Sequence, residues 1–205
     1  MLKKVPIAVL CSGGGTNLQA ILDAEAAGNI PSGRVALVVS DNANAFALER
    51  AKKAGVEIAV FDRKQVPDRK EREARILALL REKQIGLVIL AGFMTILSEN
   101  FTRAFENRII NVHPSLIPSF CGPGYYGLKV HEAALARGVK VTGATVHYVN
   151  EVCDGGPIIL QKAVNVEEGD TPETLQKRVM REAEWVILPR AVELVCGRLL
   201  SREKS

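Results

Sequence analysis

Residues 5–22, VPIAVLCSGGGTNLQAIL, decide the fold. The apolar run at 5–11 predicts a buried strand, the glycine-rich stretch SGGGTN at 12–17 predicts a turn, and a helix is expected from Asn17 to Ala27. A strand that enters a helix through a glycine turn is the repeating unit of sheets whose parallel strands are joined by helices. The apolar part is too short for a secretory leader, so we interpret it as the first strand of the protein.

The same alternation continues through the first half of the chain. GLVILA at 86–91 is an unbroken apolar run, which is typical of a strand buried on both faces of a parallel sheet. Further strands are predicted at 34–40, 57–61 and 107–113, and helices at 43–54 and 68–83. We therefore predict an α/β fold with a doubly wound, mostly parallel open sheet of the Rossmann-like type.

The second half has a different pattern. Residues 139–149 partly alternate, DGGP at 154–157 is a strong turn signal, and 158–164 returns as a strand, so an antiparallel hairpin is expected beside the parallel sheet. A helix is predicted at 128–137. Thr171 followed by proline predicts the start of a last helix, which we expect to reach about residue 199.

The composition describes an ordinary water-soluble globule. Of 205 residues, 47% are apolar and 24% charged, with a net charge of +4. One domain is expected, with two small ones as the alternative. With 5% aromatic residues and no long run of like charge, neither a nucleic-acid platform nor a membrane span is indicated. Four separated cysteines favour reduced thiols in the cytoplasm over a disulfide frame or a zinc site.

The glycine turn is the first candidate site. Gly15, Thr16 and Asn17 stand at a helix start, where free N–H groups and the helix dipole attract a phosphate. The spacing matches neither the dinucleotide motif nor the P-loop, so NAD and ATP are not indicated. A tight structural turn, with Thr16 or Asn17 capping the helix, is an equally good interpretation.

Asn111 and His113 form the second candidate. Two residues apart on a strand, they face the same side, at the carboxyl end where open α/β sheets bind ligands. An amide beside an imidazole can stabilise an oxyanion. For His113 alone, the alternative is a strand end closed by a bond to backbone.

Asp154 is the third candidate, although Asp before two glycines is first a turn residue. A carboxylate beside His113 would favour the protonated imidazole and help to move protons. His131 and His147 rank lower as candidates. His131 is expected to be a surface or packing residue, and His147 could equally be a core histidine. Arg69 lies in the charged run DRKERE, where a solvated helix face is the simpler interpretation.

Four segments taken in order, CSGGGTNLQAIL, LAGFMTILS, INVHPSLIPSF and DGGPIILQ, resemble the phosphoribosylglycinamide formyltransferase family of purine biosynthesis. The resemblance runs from about Lys4 to the last helix. It implies a single formyltransferase-type domain over 1–205. In that domain, about 1–113 would bind the ribonucleotide phosphate, and about 114–205 would complete the folate pocket.

The resemblance also implies roles for particular residues. Asn111, His113 and Asp154 would be catalytic. The ribonucleotide would be bound by Gly15, Thr16, Asn17 and Glu184. The folate would be bound by Arg69, Met94, Thr95, Ile96, Leu97, Val149, Asn150 and Val152.

The implied reaction passes a formyl group from 10-formyltetrahydrofolate, a co-substrate, to the amine of glycinamide ribonucleotide. His113 and Asn111 would stabilise the tetrahedral oxyanion, and Asp154 would assist proton movement. The resemblance implies no metal and no cysteine nucleophile. The partners are small molecules, without nucleic acid or membrane, and the protein is expected to be a cytoplasmic monomer or homodimer.

Other functions remain open at this point. Methionyl-tRNA formyltransferase and formyltetrahydrofolate deformylase share the catalytic trio but carry an additional domain, for which we expect no room in 205 residues. A non-catalytic phosphate-binding module would need the glycine turn and have no use for the trio.

Overall fold

A computed structural model describes residues 3–202, in which one sheet of seven strands runs through both halves. Residues 1–2 and 203–205, the ends of the predicted domain, lie outside the described part. The strands are β1 Val5–Cys11, β2 Gly33–Ser40, β3 Glu57–Val60, β4 Leu87–Leu90, β5 Ile109–His113, β6 Val141–Tyr148 and β7 Ile158–Asn165. The helices are α1 Thr16–Ala26, α2 Phe46–Lys53, α3 Arg69–Glu82, α4 Glu99–Ala104, α5 Leu128–Arg137, α6 Pro172–Val179 and α7 Trp185–Arg202, with a π-helical segment at Met180–Glu184.

The sheet order is β3-β2-β1-β4-β5-β6-β7. The five strands from β1 to β5 pair in parallel, and β6 and β7 pair antiparallel at one end. The chain order therefore reverses between β1 and β4. This is the predicted fold class, a doubly wound and mostly parallel sheet with an antiparallel hairpin added in the second half.

Both faces of the central strand β1 are buried. Ile7 and Val9 pack in a cluster with residues of α1 and α7 on one face, while Ala8 and Leu10 pack with residues of α3 and α4 on the other. Alternate side chains of a strand point to opposite faces, so an unbroken apolar run is what a strand covered by helices on both sides requires.

Most predicted elements are confirmed, and α5 has the predicted bounds. The predicted start of the last helix is confirmed as well, since Thr171 caps α6 in a capping box with Thr174. The strand predicted from 107 begins at Ile109, because Asn107 has a left-handed backbone with φ of 56°.

Two elements were not predicted. The short helix α4 starts after Ser98, whose hydroxyl accepts a hydrogen bond from the N–H of Phe101. The last helix is not one continuous α-helix, because the π-helical segment separates α6 from α7 and buries both Ala183 and Glu184. Among the described helices, none is long and apolar enough to cross a membrane.

Candidate active site

A cavity of about 540 Å³ opens where β4 and β5 end. Its walls come from the segments that follow these two strands and from the loop between β6 and β7. Cavities at the carboxyl ends of strands are the usual ligand sites of open α/β sheets. Of the residues predicted to bind folate, the cavity is lined by Met94, Thr95, Ile96, Leu97, Val149, Asn150 and Val152, and the three catalytic candidates Asn111, His113 and Asp154 line it as well.

The carboxylate of Asp154 lies at the centre of a cluster of polar groups. Its Oδ2 atom is 3.5 Å from Nδ1 of His113 and accepts a hydrogen bond of 2.8 Å from the N–H of Gly122. Its Oδ1 atom is 3.6 Å from Nε2 of His147. The Asp154 side chain is only 9% exposed, so these charges act on one another with little screening by water.

The pKa of Asp154 reflects this environment. Burial raises the pKa, but the hydrogen bond with His147, the charge of His113 and the N–H of Gly122 lower it by more, so it lies below its ordinary value. Asp154 is therefore a carboxylate at neutral pH and can stabilise a proton on either imidazole. Its φ of 54° confirms the turn conformation that its position before two glycines suggested.

The two ring nitrogens of His113 have different neighbours. Nε2 lies 2.9 Å from the carbonyl oxygen of Phe120. A carbonyl only accepts, so Nε2 carries a proton in this contact. Nδ1 faces Asp154, so a second proton there would lie against the carboxylate. The alternative of a strand-end histidine bonded to backbone thus holds for one ring nitrogen only.

His147 is buried, as the interpretation as a core histidine expected, and it also lines the cavity. On β6 it pairs directly with Asn111 on β5, and its Nε2 lies 3.3 Å from Nδ2 of Asn111. Its Nδ1 lies 2.8 Å from the carbonyl oxygen of Tyr148 and therefore donates. Nε2 accepts from the Asn111 amide when the ring is neutral, and carries the proton that faces Asp154 when the ring is charged. The pairing of β5 with β6 produces this contact, and the predicted hairpin paired β6 with β7 only.

His131 on α5 is fully buried, so the surface interpretation was wrong and the packing interpretation holds. Burial, followed by the nearby charge of His113, lowers the pKa of His131 to about 4. Neither of its ring nitrogens has a hydrogen-bond partner in the described chain. The ring is neutral at physiological pH.

The glycine turn is a separate feature that does not line the cavity. Gly15 precedes α1 with φ of 71°, and no side chain caps this helix, so the capping interpretation of Thr16 and Asn17 was wrong. Within residues 3–202, the N–H groups from Gly13 to Leu18 have no acceptor in the protein. Converging free N–H groups at a helix start can hold an anion.

Glu184 joins the last helical region to this turn. Its Oε2 atom accepts a hydrogen bond of 2.6 Å from Nδ2 of Asn17. Burial raises the pKa of Glu184 to about 7, although the bond from Asn17 acts in the opposite direction. The remaining amide oxygen of Asn17 is buried and has no partner in the described chain. Asn17 and Glu184 thus lie together beside the free N–H groups.

Arg69 is not brought into the cavity wall. Its guanidinium lies 3.8 Å from Glu73 and 3.5 Å from the carbonyl oxygen of Ile96, and its side chain is half exposed. Arg63, a residue that the sequence interpretation missed, lines the cavity and lies 3.5 Å from the buried carboxylate of Asp41. Thr95 donates to the same carboxylate oxygen at 2.7 Å.

The turn and the cavity are connected through Ser12. Its hydroxyl accepts a 2.9 Å hydrogen bond from the N–H of Met94, the first of the predicted folate-binding residues after β4. Its own N–H donates to the carbonyl oxygen of Gly92 at 3.1 Å.

In the described chain, no group of three or more His, Cys, Asp or Glu residues has an arrangement that could hold a metal ion.

The chain is similar to known formyl transferases. A family model described as formyl transferase matches residues 5–192. The phosphoribosylglycinamide formyltransferase of Haemophilus influenzae is 42% identical over 187 residues, which cover 91% of this chain and 85% of that protein. The crystal structure of glycinamide ribonucleotide transformylase 1 from Symbiobacterium toebii is similar with a TM-score of 0.88 and 47% identity, covering 95% of this chain and 88% of that chain.

Longer proteins contain a similar segment. The human trifunctional purine biosynthetic protein adenosine-3 is 45% identical over 195 residues, which cover 95% of this chain but 19% of that protein. The chain therefore spans about a fifth of the length of the trifunctional relatives that it matches.

Proposed function

The chain belongs to the formyl transferase family, and we propose that it transfers the formyl group of 10-formyltetrahydrofolate to the amine of 5-phosphoribosylglycinamide in purine biosynthesis. One observation carries the proposal. Asn111, His113 and Asp154 line one cavity, and Ser12 joins that cavity to a turn whose N–H groups are free for a phosphate. A formyl acceptor that carries a phosphate would use both features.

The cavity fits a folate in size and character. At about 540 Å³ it lies within the range of roughly 300–1,000 Å³ that is usual for small-molecule sites. Met94, Ile96 and Val152 are large apolar side chains about half exposed around it, a costly arrangement unless a flat apolar ligand covers them. The segments 94–97 and 149–154 would supply backbone groups for the polar edge of the ring.

The folate supplies an activated formyl carbon, and the chain supplies charge stabilisation. As the amine adds to that carbon, negative charge develops on the formyl oxygen. The free N–H of the Asn111 amide and a proton of His113 are the donors for this oxygen. In this structure the Nε2–H group of His113 donates to the carbonyl oxygen of Phe120. To donate to the substrate, it would exchange that carbonyl oxygen for the formyl oxygen.

Asp154 has two roles in this scheme. Its charge, 3.5 Å from Nδ1, stabilises the imidazolium form of His113. Its carboxylate also accepts the proton that the amine loses, directly or through water, and that proton passes to the departing folate nitrogen. The reaction balances without a metal ion. A bond forms between the amine nitrogen and the formyl carbon, the bond between that carbon and the folate nitrogen breaks, and the proton moves from the amine to the folate nitrogen.

The ribonucleotide would bind at the glycine turn. Gly15, Thr16 and Asn17 would hold its phosphate through their N–H groups. Glu184, buried beside Asn17, would accept hydrogen bonds from ribose hydroxyls. We further propose that residues 1–205 act as one domain in the cytoplasm, as a monomer or homodimer, without nucleic acid or membrane.

A spectrophotometric assay tests this proposal. Purified protein is given 10-formyltetrahydrofolate with and without glycinamide ribonucleotide, and release of the folate product is followed. Product that forms only with the ribonucleotide is expected. Product formed without it would indicate a deformylase, and binding of both ligands without reaction would indicate a binding module.

A further inference from the structure

Three successive carbonyl groups of the glycine turn, those of Ser12, Gly13 and Gly14, accept hydrogen bonds from α2 and from the segment before it. The carbonyl oxygen of Ser12 accepts from Nδ2 of Asn42 at 3.1 Å, and that of Gly13 accepts from the N–H of Ala47 at 3.0 Å. The carbonyl oxygen of Gly14 accepts from Nε of Arg50 at 2.9 Å. Three successive carbonyls are thus bound on one side.

This arrangement decides where the N–H groups point. In an extended or turning backbone, fixing a carbonyl fixes the plane of its peptide and so the direction of the next N–H. Gly13, Gly14 and Gly15 follow the three bound carbonyls, and their N–H groups have no acceptor in the described chain. The segment at 42–50 therefore orients the donors that face the solvent.

Arg50 is the charged member of this set, and its guanidinium is held on three sides. Besides the bond to Gly14, its Nη1 donates to Oε1 of Gln19 on α1 at 3.0 Å, and its Cζ lies 5.1 Å from the ring centroid of Phe46. No ion pair of Arg50 with an acidic residue occurs within residues 3–202. Its charge remains uncompensated beside the turn.

We propose that Arg50 is a positioning residue for the ribonucleotide phosphate. It binds the Gly14 carbonyl, turns the Gly15 N–H towards the ligand, and adds positive charge behind the turn. This inference rests on the proposed function, in which the turn holds that phosphate. The residue acts through the backbone of the turn and takes no part in formyl transfer at the far end of the substrate.

Steady-state kinetics of Arg50→Gln test the proposal. We expect KM for glycinamide ribonucleotide to rise about tenfold, because one charged donor and the turn geometry are lost. We expect kcat and KM for the formyl folate to stay within about twofold of wild type, as for a change remote from the chemistry. Arg50→Lys, which keeps the charge, is expected to recover part of the lost affinity. Arg75→Gln removes a surface arginine that pairs with Glu71 and serves as the matched control.

A second readout does not depend on catalysis. Inorganic phosphate, titrated by calorimetry, is expected to bind the Arg50→Gln protein more weakly than wild type by the same factor. Unchanged KM and phosphate affinity would overturn the inference, and so would equal losses in both KM values, kcat and thermal stability. If Arg50→Gln does not fold, the same measurements of KM and phosphate affinity on Arg50→Lys decide the question. A wild type that binds phosphate without transferring formyl would overturn the proposed function and leave Arg50 testable by the titration.

Discussion

The two polar regions of the molecule are built in different ways. The glycine turn uses consecutive residues, 12–17, and offers backbone N–H groups. The cluster around Asp154 uses side chains from three places in the chain: β5, β6 and the loop before β7. A backbone site depends on conformation and tolerates changes of side chain, whereas a side-chain site depends on the identity of each group.

The difference also concerns burial. The turn lies near the surface, where Gly13 and Gly14 are exposed. The side chains of His113 and His147 are 5% and 2% exposed, so their charges interact at low effective dielectric constant. We therefore expect the largest functional losses in the cluster and losses of affinity and stability at the turn.

Asp154→Asn is expected to give the largest effect. The substitution keeps size and removes the charge that stabilises the His113 imidazolium, so kcat should fall by about 10²–10³-fold. Turnover is measured at saturating concentrations of both substrates, with thermal unfolding as the check of folding. Asp23→Asn, an exposed position on α1, is the control. Turnover close to wild type would remove Asp154 from the proposed chemistry.

Glu184→Gln probes the side chain that the last helical region contributes to the turn. The pKa of Glu184 is raised from 4.5 to about 7 by burial, so the folded state keeps a proton that the unfolded state has lost. The free energy of unfolding of wild type should therefore fall as pH rises from about 4.5 to about 7. The total is on the order of 3 kcal/mol, since each pH unit between the two pKa values contributes about 1.4 kcal/mol.

The measurement is urea unfolding of both proteins between pH 4.5 and 8. Glu184→Gln cannot lose that proton, so its stability relative to wild type should increase across this window. A constant difference between the two proteins would show that burial does not govern this carboxyl group.

Gly15→Ala is expected to give the smallest of the three effects on the protein. A Cβ at this position would lie 2.7 Å from both Cα and Cβ of Ala47, at a φ of +71° that disfavours alanine. We expect a loss of stability of about 1–3 kcal/mol and weaker ribonucleotide binding, with little change in KM for the folate. Gly14→Ala is the matched control, because nothing lies within 4 Å of its added Cβ. Equal behaviour of the two variants, in thermal unfolding and kinetics, would contradict a conformational role for Gly15.

Prediction from sequence succeeded best where the signal was local and repeated. The strands of the parallel sheet were found because burial on both faces requires continuous apolar runs, as at β4. The start of α6 was found because its cap is a property of neighbouring residues. The helix α4 was missed because its six residues are too few to show a helical period.

For the candidate site, the sequence placed Asn111 and His113 on one face of a strand and Gly15 in a turn. It did not predict the contact of His147 with Asn111, because this contact arises from strand pairing. It also passed over Arg50, whose bond to Gly14 joins α2 to the turn. The functional assignments of all these residues remain predictions.

The sequence by itself determined the order of the strands and of the longer helices, the hairpin at the end and the turn before α1. Each depends on the conformational preferences of a few neighbouring residues and on hydrophobic periodicity. Only the tertiary structure decided that Asp154 lies between His113 and His147, and that Glu184 reaches Asn17. The physical reason is that these contacts join distant parts of the chain, and packing of the whole sheet and its helices brings them within a few ångströms.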